Sequence, residues 1–416
     1  MHILILPSEY FITKEKPTAG IFQFDQAKIF VEKGNKVGVL AIKPYYTLKQ
    51  LYKEIRAVIN SRSGIKRLVQ RITYFFFSIP FAFKKEQKQG VNIIRFNGSY
   101  GLTRTKDSKG RLAKWQKNGD FALSTYIKTY GKPDVMHAHN MVYAGMMGNY
   151  LSNKYSIPIV VTERSSEHLM RDLPDVLESM ISKHFQEMNN LNAVSPSFVK
   201  QLERKYSIEE DKVKWFPNVI DRVFEDENVE NQSSGGKFVF LNVANLIPIK
   251  GQEEMIRAFG TAFKNDNGVV LKIAGDGYLR QHLESVVSEL GLTNVEFLGF
   301  LRRERVVDEM RKSNVLLLPS YYETFGVVLI EALALGKPVI ASKCGGPECI
   351  VDSTNGLLFE CRNTEQLTHS LKEIKENYRE YDHQKIKRDV IKRFGREEFY
   401  KRIRRIYETA INDYNC

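Results

Sequence analysis

The sequence predicts an α/β protein made of two doubly wound, parallel-sheet domains. Three observations carry that expectation. Short runs rich in Val, Ile and Leu recur along the chain, amphipathic stretches separate them, and the whole series occurs twice. Continuous apolar runs mark strands covered on both faces, and their alternation with helices marks parallel sheets.

In the first half the runs fall at 2–6, 36–42, 92–96, 134–137, 158–162 and 192–194. In the second they fall at 238–243, 269–274, 295–298, 315–319 and 338–341. A boundary is expected at 215–221, where Phe-Pro-Asn-Val-Ile-Asp carries turn residues, and a polar Gly/Ser-containing stretch follows at 231–236. The expected organisation is a first domain over 1–218 with a basic helical segment at 43–88, a second over 219–395, and a basic closing helix over 396–416 that crosses back to the first.

A length of 416 residues suits two domains of roughly 200 residues each. The 43% hydrophobic and 11% aromatic content supports real cores and excludes a disordered chain. The four cysteines, Cys344, Cys349, Cys361 and Cys416, form no CxxC pair and have no histidine cluster around them. They read as reduced structural thiols of a cytosolic protein, with no zinc site. The apolar run at the N-terminus is too short for a signal peptide and reads as a buried first strand. The apolar stretch 72–83 is broken by Ser78 and Pro80 and falls short of the roughly 20 residues a membrane helix needs. Net charge is +13, and eighteen basic against three acidic residues lie between Lys43 and Lys117, so the excess is regional.

The densest constellation is Pro319-Ser-Tyr-Tyr-Glu-Thr-Phe-Gly-Val-Val-Leu-Ile-Glu-Ala-Leu-Ala-Leu-Gly-Lys-Pro338. The run before Pro319 reads as a strand and a helix is expected from Phe325 or Gly326. Glu323 then stands at a strand's carboxyl end, where open α/β sheets bind ligands. Glu331 lies about a turn and a half into the helix, and eight residues of helix rise span ~12 Å. Between the two carboxylates lies a helix N-terminus, with the backbone N–H groups of Thr324, Phe325, Gly326 and Val327 available to phosphate. A capped Glu323 and a solvated Glu331 are the plainer alternative. Leu329, Ile330, Ala332 and Leu333 around Glu331 argue against it, because a carboxylate there is partly buried and needs a partner.

The Glu-(seven residues)-Glu spacing after Pro-Ser, with Phe325-Gly326 inside it and Gly336-Lys-Pro-Val-Ile-Ala-Ser342 after it, resembles the signature of the family-4 glycosyltransferases. Ala274-Gly-Asp-Gly277, Val295-Glu-Phe-Leu-Gly299 and Gly345-Gly-Pro-Glu348 stand in that family's order, so the resemblance covers nearly all of 237–361. It implies the GT-B fold, with two Rossmann-like domains facing a cleft, and retaining transfer from a nucleotide sugar. Glu323 would then position the sugar and Glu331 the ribose. Ala244-Asn-Leu-Ile-Pro-Ile-Lys250-Gly251 matches the element whose lysine meets the donor diphosphate, so Lys250 takes that role. Asn245 departs from the family's usual arginine; either Lys250 and the helix end suffice, or Arg302 or Arg303 contributes.

By the same resemblance, Gly299-Phe300-Leu301 is the nucleobase segment, with backbone groups reading the base and an apolar side chain covering it. Gly275-Asp-Gly277 reads as a tight turn beside the site, not a dinucleotide fingerprint, because Arg280 replaces the third glycine. Asp134-Val-Met-His137-Ala-His139 resembles the family's Asp-(apolar)-(apolar)-His-x-His, in which His139 faces the transferred sugar; a structural role is the alternative, above all for His137. Gly20, in Lys16-Pro-Thr-Ala-Gly-Ile, matches a loop that approaches the donor phosphates. Thr162-Glu163-Arg164 and Ala193-Val-Ser195-Pro-Ser197 fit cleft-lining positions. No Asp-x-Asp motif occurs, which fits transfer without a metal or any other cofactor.

In the basic segment, Leu51, Ile55, Val58 and Ile59 form an apolar stripe, and the aromatics of 74–83 adjoin Lys84 and Lys85. Such a mixture suits the surface of an anionic membrane; a helical excursion packed on the first domain is the alternative, and no nucleic-acid module is present. The expectation is a hexose-type transfer from a UDP- or GDP-sugar to a saccharide or lipid-linked saccharide, in polysaccharide assembly at the cytoplasmic face of the cell membrane. A nonhydrolysing nucleotide-sugar epimerase and an inactive, membrane-bound partner of another transferase are the competing readings.

Overall fold

A computed structural model of the chain describes residues 1–8, 11, 20–42, 83–96, 108–229 and 236–415. The chain divides into two compact units. One comprises Met1–Ala193, Gln201–Lys214 and Arg402–Cys416, the other Val194–Lys200 and Trp215–Lys401.

The strands of the first unit's sheet are β1 (His2–Pro7), β2 (Lys36–Ile42), β3 (Phe83–Lys88), β4 (Val91–Phe96), β5 (Val135–His139), β6 (Ile159–Glu163), β7 (Leu191–Ala193) and β8 (Val213–Trp215), in the spatial order β3-β4-β2-β1-β5-β6-β7-β8. From β4 to β7 the neighbours are parallel. Ile3, Leu4, Ile5 and Leu6 of β1 are fully buried, so both faces of this central strand are covered. The covering helices include α1 (Ile21–Glu32), α2 (Ser108–Tyr130), α3 (Met146–Tyr155), α4 (Glu167–Met170) and α5 (Asp175–Glu187). α6 (Pro196–Tyr206) belongs partly to each unit.

In the second unit, β9 (Phe238–Val243), β10 (Val269–Ala274), β11 (Val295–Gly299), β12 (Val315–Leu318), β13 (Val339–Lys343) and β14 (Gly356–Glu360) form an all-parallel sheet in the order β11-β10-β9-β12-β13-β14. Counted within the unit this is 3-2-1-4-5-6, the Rossmann order. Its helices are α7 (Arg222–Glu225), α8 (Gln252–Phe263), α9 (Arg280–Glu289), α10 (Arg303–Lys312), α11 (Val327–Ala334), α12 (Thr364–Glu376) and α13 (His383–Phe394). Phe240, Phe259 and Phe263 pack with Leu271, Leu283 and Leu317 in one core. The last helix, α14 (Arg396–Asn415), starts in the second unit and ends in the first.

The basic helical segment expected over 43–88 needs a correction at its end. Phe83–Lys88 is an edge strand, antiparallel to β4, with Lys84 opposite Arg95 and Glu86 opposite Ile93. Gln89 and Gly90 turn the hairpin with φ of 47° and 79°, as a two-residue loop requires. Lys84 and Arg95 both pair with Glu86, at 3.1 and 3.0 Å. The charges of 84–88 therefore line a sheet edge and not a helix, and charge on an edge discourages pairing with other chains. Residues 43–82 of that segment, with its apolar stripe and most of its aromatics, lie outside the described residues. β8 and β14 have no counterpart in the sequence reading.

Candidate active site

In the second sheet β9 and β12 are neighbours whose onward connections run to opposite sides, so a crevice opens beyond their carboxyl ends. The loops that leave these two strands are laced together, the Tyr321 N–H donating to Ile249 O at 2.8 Å. A 3-10 turn, Pro248–Lys250, delivers Lys250 to this point, and its Nζ lies 2.6 Å from Glu323 Oε1. Ser320 Oγ donates to the same oxygen at 2.8 Å. The Glu323 backbone is bonded to the loop after β13, through Cys344 O and Gly346 N–H. The carboxylate is thereby held by both side-chain and backbone contacts.

Two glycines shape the crevice. A Cβ on Gly275 would lie 1.8 Å from Ala244 O, so only glycine lets the β10 loop press against the loop bearing Asn245 and Lys250. Gly326 caps α11 with φ 97° and ψ 57°, a left-handed conformation that favours glycine. The helix therefore begins at Val327, one or two residues later than expected. Thr324 and Val327 are half-buried, while the Phe325 side chain enters the core edge-to-face with Phe394, at 5.6 Å between centroids. Only the backbone of Phe325 is left for a ligand.

Glu331 is 3% exposed, and its partner is Arg303, whose Nη2 donates to Oε1 at 2.5 Å. Arg303 Nε also donates to Asp221 Oδ2 at 3.0 Å. Burial opposes the Arg303 charge, but the two carboxylates outweigh it and its pKa is raised. Arg303 thus spans Glu331 and Asp221. Asn245 itself is exposed, and its carbonyl accepts from Gln252 Nε2 at 3.0 Å. Phe300 is 70% exposed and Leu301 half-buried just after β11. Gly299 O accepts from Gly275 N–H at 2.8 Å, which joins the expected nucleobase segment to the Gly275 turn.

The first sheet has its own switch point, between β1 and β5. Asn140 Nδ2 bonds Ser8 Oγ at 2.9 Å across it. His139 ends β5 there, fully buried, and its Nδ1 accepts from Arg164 Nε at 3.3 Å. That contact assigns the ring proton to Nε2, which has no hydrogen-bond partner among the described residues. Burial first, then His137 and Arg164, hold its pKa well below the usual value. His137 is different. Both its nitrogens are engaged, with Tyr407 Oη at 2.7 Å, Gln26 Nε2 at 2.8 Å and Thr162 Oγ1 at 2.8 Å, and burial lowers its pKa to about 3. It is a satisfied core histidine.

Glu163 is buried and accepts from the backbone N–H groups of Met141, Arg164 and Ser165, fixing the loops after β5 and β6. Ser195 Oγ accepts from Phe198 N–H at the start of α6. Gly20 has φ 76° and precedes α1, and 12–19 lie outside the described residues. Cys344, Cys349 and Cys361 are free thiols, with burial pushing Cys344 and Cys349 up to about 12. Sequence reasoning missed Ser320, Asp221 and the Arg303–Glu331 pair. Ser320 was within reach of a rule, because a serine three residues before a carboxylate at a strand end can bond it. The 82-residue separation of Asp221 and Arg303 leaves no local signal.

Two Rossmann-like units of this kind make up the GT-B fold. Sucrose-phosphate synthase from Thermosynechococcus elongatus has the same fold, with a TM-score of 0.72, 18% identity and coverage of 99% of this chain and 100% of that one. Anabaena HepE in complex with UDP gives 0.68 with 19% identity, over 98% of this chain and 100% of that one. The family model described as Glycosyl transferases group 1 matches residues 197–393, and Glycosyltransferase Family 4 matches 104–224. An uncharacterised glycosyltransferase of Methanocaldococcus jannaschii is 30% identical over 284 residues, 66% of this chain and 75% of its relative. The chain belongs to the group 1, family-4 glycosyltransferases.

Proposed function

We propose that this glycosyltransferase moves a hexose-type sugar from a UDP- or GDP-sugar to a saccharide or lipid-linked saccharide, with retention of configuration and without a metal ion. The observation that carries the reading is the Lys250–Glu323 pair at the second sheet's switch point, with Glu323 in the loop that leads from β12 into α11. The Lys250 ammonium has three donors, so it can hold Glu323 and still meet a diphosphate oxygen. The backbone N–H groups of 324–327 add donors and the positive end of the helix dipole. Glu323 then accepts from sugar hydroxyls, Glu331 from the ribose, and Gly299, Phe300 and Leu301 flank the base. The HepE structure holds UDP, which supports a nucleotide donor.

As the glycosidic bond breaks, negative charge grows on the leaving diphosphate, where Lys250 and the α11 N-terminus stabilise it. The acceptor hydroxyl attacks from the same face and gives its proton to that leaving phosphate, so no protein base is assigned. His139 donates a hydrogen bond through Nε2 toward the sugar and does not take a proton.

Among the described residues no helix is long and apolar enough to cross a membrane. The basic excess between Lys43 and Lys117 supports peripheral contact with an anionic membrane, on its cytoplasmic face, where a lipid-linked acceptor of polysaccharide assembly is presented. Salt-sensitive co-sedimentation with anionic liposomes tests that contact. For the donor, UDP-, GDP- and ADP-sugars are screened by thermal shift and then for transfer in the presence of EDTA. Stabilisation by one nucleotide class and transfer that fails in Glu323→Ala are expected. Full activity in Glu323→Ala sinks the assignment.

A further inference from the structure

We propose that Arg303 is a positioning residue for the ribose subsite: it orients the Glu331 carboxylate, and Asp221 fixes Arg303 in turn. The proposal rests on the reading of Glu331 as the ribose ligand. Glu331 sits inside α11 among apolar neighbours and is nearly inaccessible, so its rotamer is decided by whatever pairs with it. Arg303 opens α10, on a different connection of the sheet, and reaches Glu331 Oε1 at 2.5 Å.

Arg303 is itself held on three sides. Nη2 takes Glu331, Nε takes Asp221 Oδ2 at 3.0 Å, and the guanidinium lies over the Phe224 ring, 4.6 Å from its centroid. Asp221 is anchored as well, because its Oδ1 accepts from Val223 N–H as the cap of α7. A planar guanidinium spanning two carboxylates is a geometry that a lysine does not reproduce. The set carries two carboxylates against one guanidinium. Such an acceptor-rich, net-negative group suits neutral hydroxyl donors and disfavours phosphate. A carboxylate offers about four acceptor sites, so the bond from Arg303 does not exhaust Glu331. Freezing its rotamer beforehand removes an entropy cost from ligand binding.

Isothermal titration of the full chain with UDP, GDP and ADP, each beside its 2′-deoxy form, tests this. The nucleotide that binds tightest is carried forward. One hydrogen bond from a ribose hydroxyl to a charged acceptor predicts a ribo-over-deoxy preference of roughly 10- to 100-fold. Glu331→Ala should abolish the preference, and Arg303→Ala should reduce it to about threefold or less. A wild-type preference near one, or a preference unchanged in Glu331→Ala, sinks the ribose reading itself. A preference lost in Glu331→Ala but kept in Arg303→Ala overturns the positioning role alone, including the case where Arg303→Ala weakens both forms equally. Should Arg303→Ala not fold, Arg303→Lys is read the same way. It keeps the charge but cannot span both carboxylates, so its preference must fall, and an unchanged one overturns the proposal.

Discussion

Lys250 Nζ and Glu323 Oε1 stand 2.6 Å apart although 73 residues separate them in the chain. The sheet order brings this about. β9 and β12 are neighbours, and each is followed at its carboxyl end by one of the two residues. The side chains are 22% and 14% exposed, so each charge is largely withdrawn from water and needs the other. The net worth of such a pair to stability is small, because desolvation offsets most of the attraction. Its value lies in presenting a cation and a carboxylate at fixed places beside a helix N-terminus.

Lys250→Ala should therefore cost activity far more than stability. Removing a preorganised charge aimed at the leaving group typically lowers the rate by about 100- to 1000-fold. Glu323 keeps its bond from Ser320 Oγ and some access to water, so thermal unfolding should shift by only a few degrees, which corresponds to about 1 kcal/mol. Rates of transfer and melting curves on the same preparation check both. A variant with wild-type turnover removes Lys250 from the diphosphate.

Gly275→Ala should disable the site without touching a proposed ligand contact. The new methyl would lie 1.8 Å from Ala244 O, a backbone atom that moves only if the Asn245–Lys250 loop moves with it. Displacement of catalytic groups by about 1 Å can cost roughly 100-fold in rate. The check is transfer activity beside far-ultraviolet circular dichroism. A folded Gly275→Ala variant with normal activity would show that the loop tolerates the shift.

The sheets were the most legible part of the sequence. The runs at 238–243 and 269–274 coincide with β9 and β10, because strands buried on both faces leave an unbroken apolar signature. β3 was not legible. An edge strand carries its charges at the positions where a helix would also show them, and only the Gln89-Gly90 turn distinguishes the two. In the site, Glu323 and Lys250 stood out because their motifs are local and rich in glycine and proline. Arg303 did not, because its meaning comes from a partner 28 residues onward and another 82 residues back. Ion pairs between separate connections are a product of the fold and leave no spacing rule behind.

Gly326→Ala should be milder than Gly275→Ala. The nearest atoms to the added Cβ belong to the Leu329 and Leu318 side chains, at 3.2 and 3.3 Å, and these can give way. The cost comes from the left-handed backbone, about 1–2 kcal/mol for a residue with a side chain. Gly326→Asn should cost less, since asparagine visits that conformation more readily. Chemical denaturation of both variants tests the order. If Ala proves no worse than Asn, the cap is not under conformational control.

Stability should fall as the solution is acidified from about pH 6.5, before carboxylates dominate acid unfolding. Burial lowers His137 to about 3 and holds His139 well below its ordinary value, so both are neutral in the folded chain at neutral pH. The unfolded chain takes up these protons near pH 6.5 and the folded chain does not. Below that pH the unfolded state therefore binds more protons, and stability present above it is lost as pH falls toward the folded values. Each histidine contributes a slope of up to about 1.4 kcal/mol per pH unit in that window. Urea unfolding between about pH 7 and pH 5 isolates the effect from most carboxylates. His137→Gln gives up some stability throughout, because the contacts to Tyr407, Gln26 and Thr162 change. Its pH dependence should nonetheless be shallower than that of the wild-type chain, since one of the proton-linked groups is gone. Equal slopes in the two proteins would mean that His137 is protonated in the fold, and the satisfied core histidine between β1 and β6 would have to be abandoned.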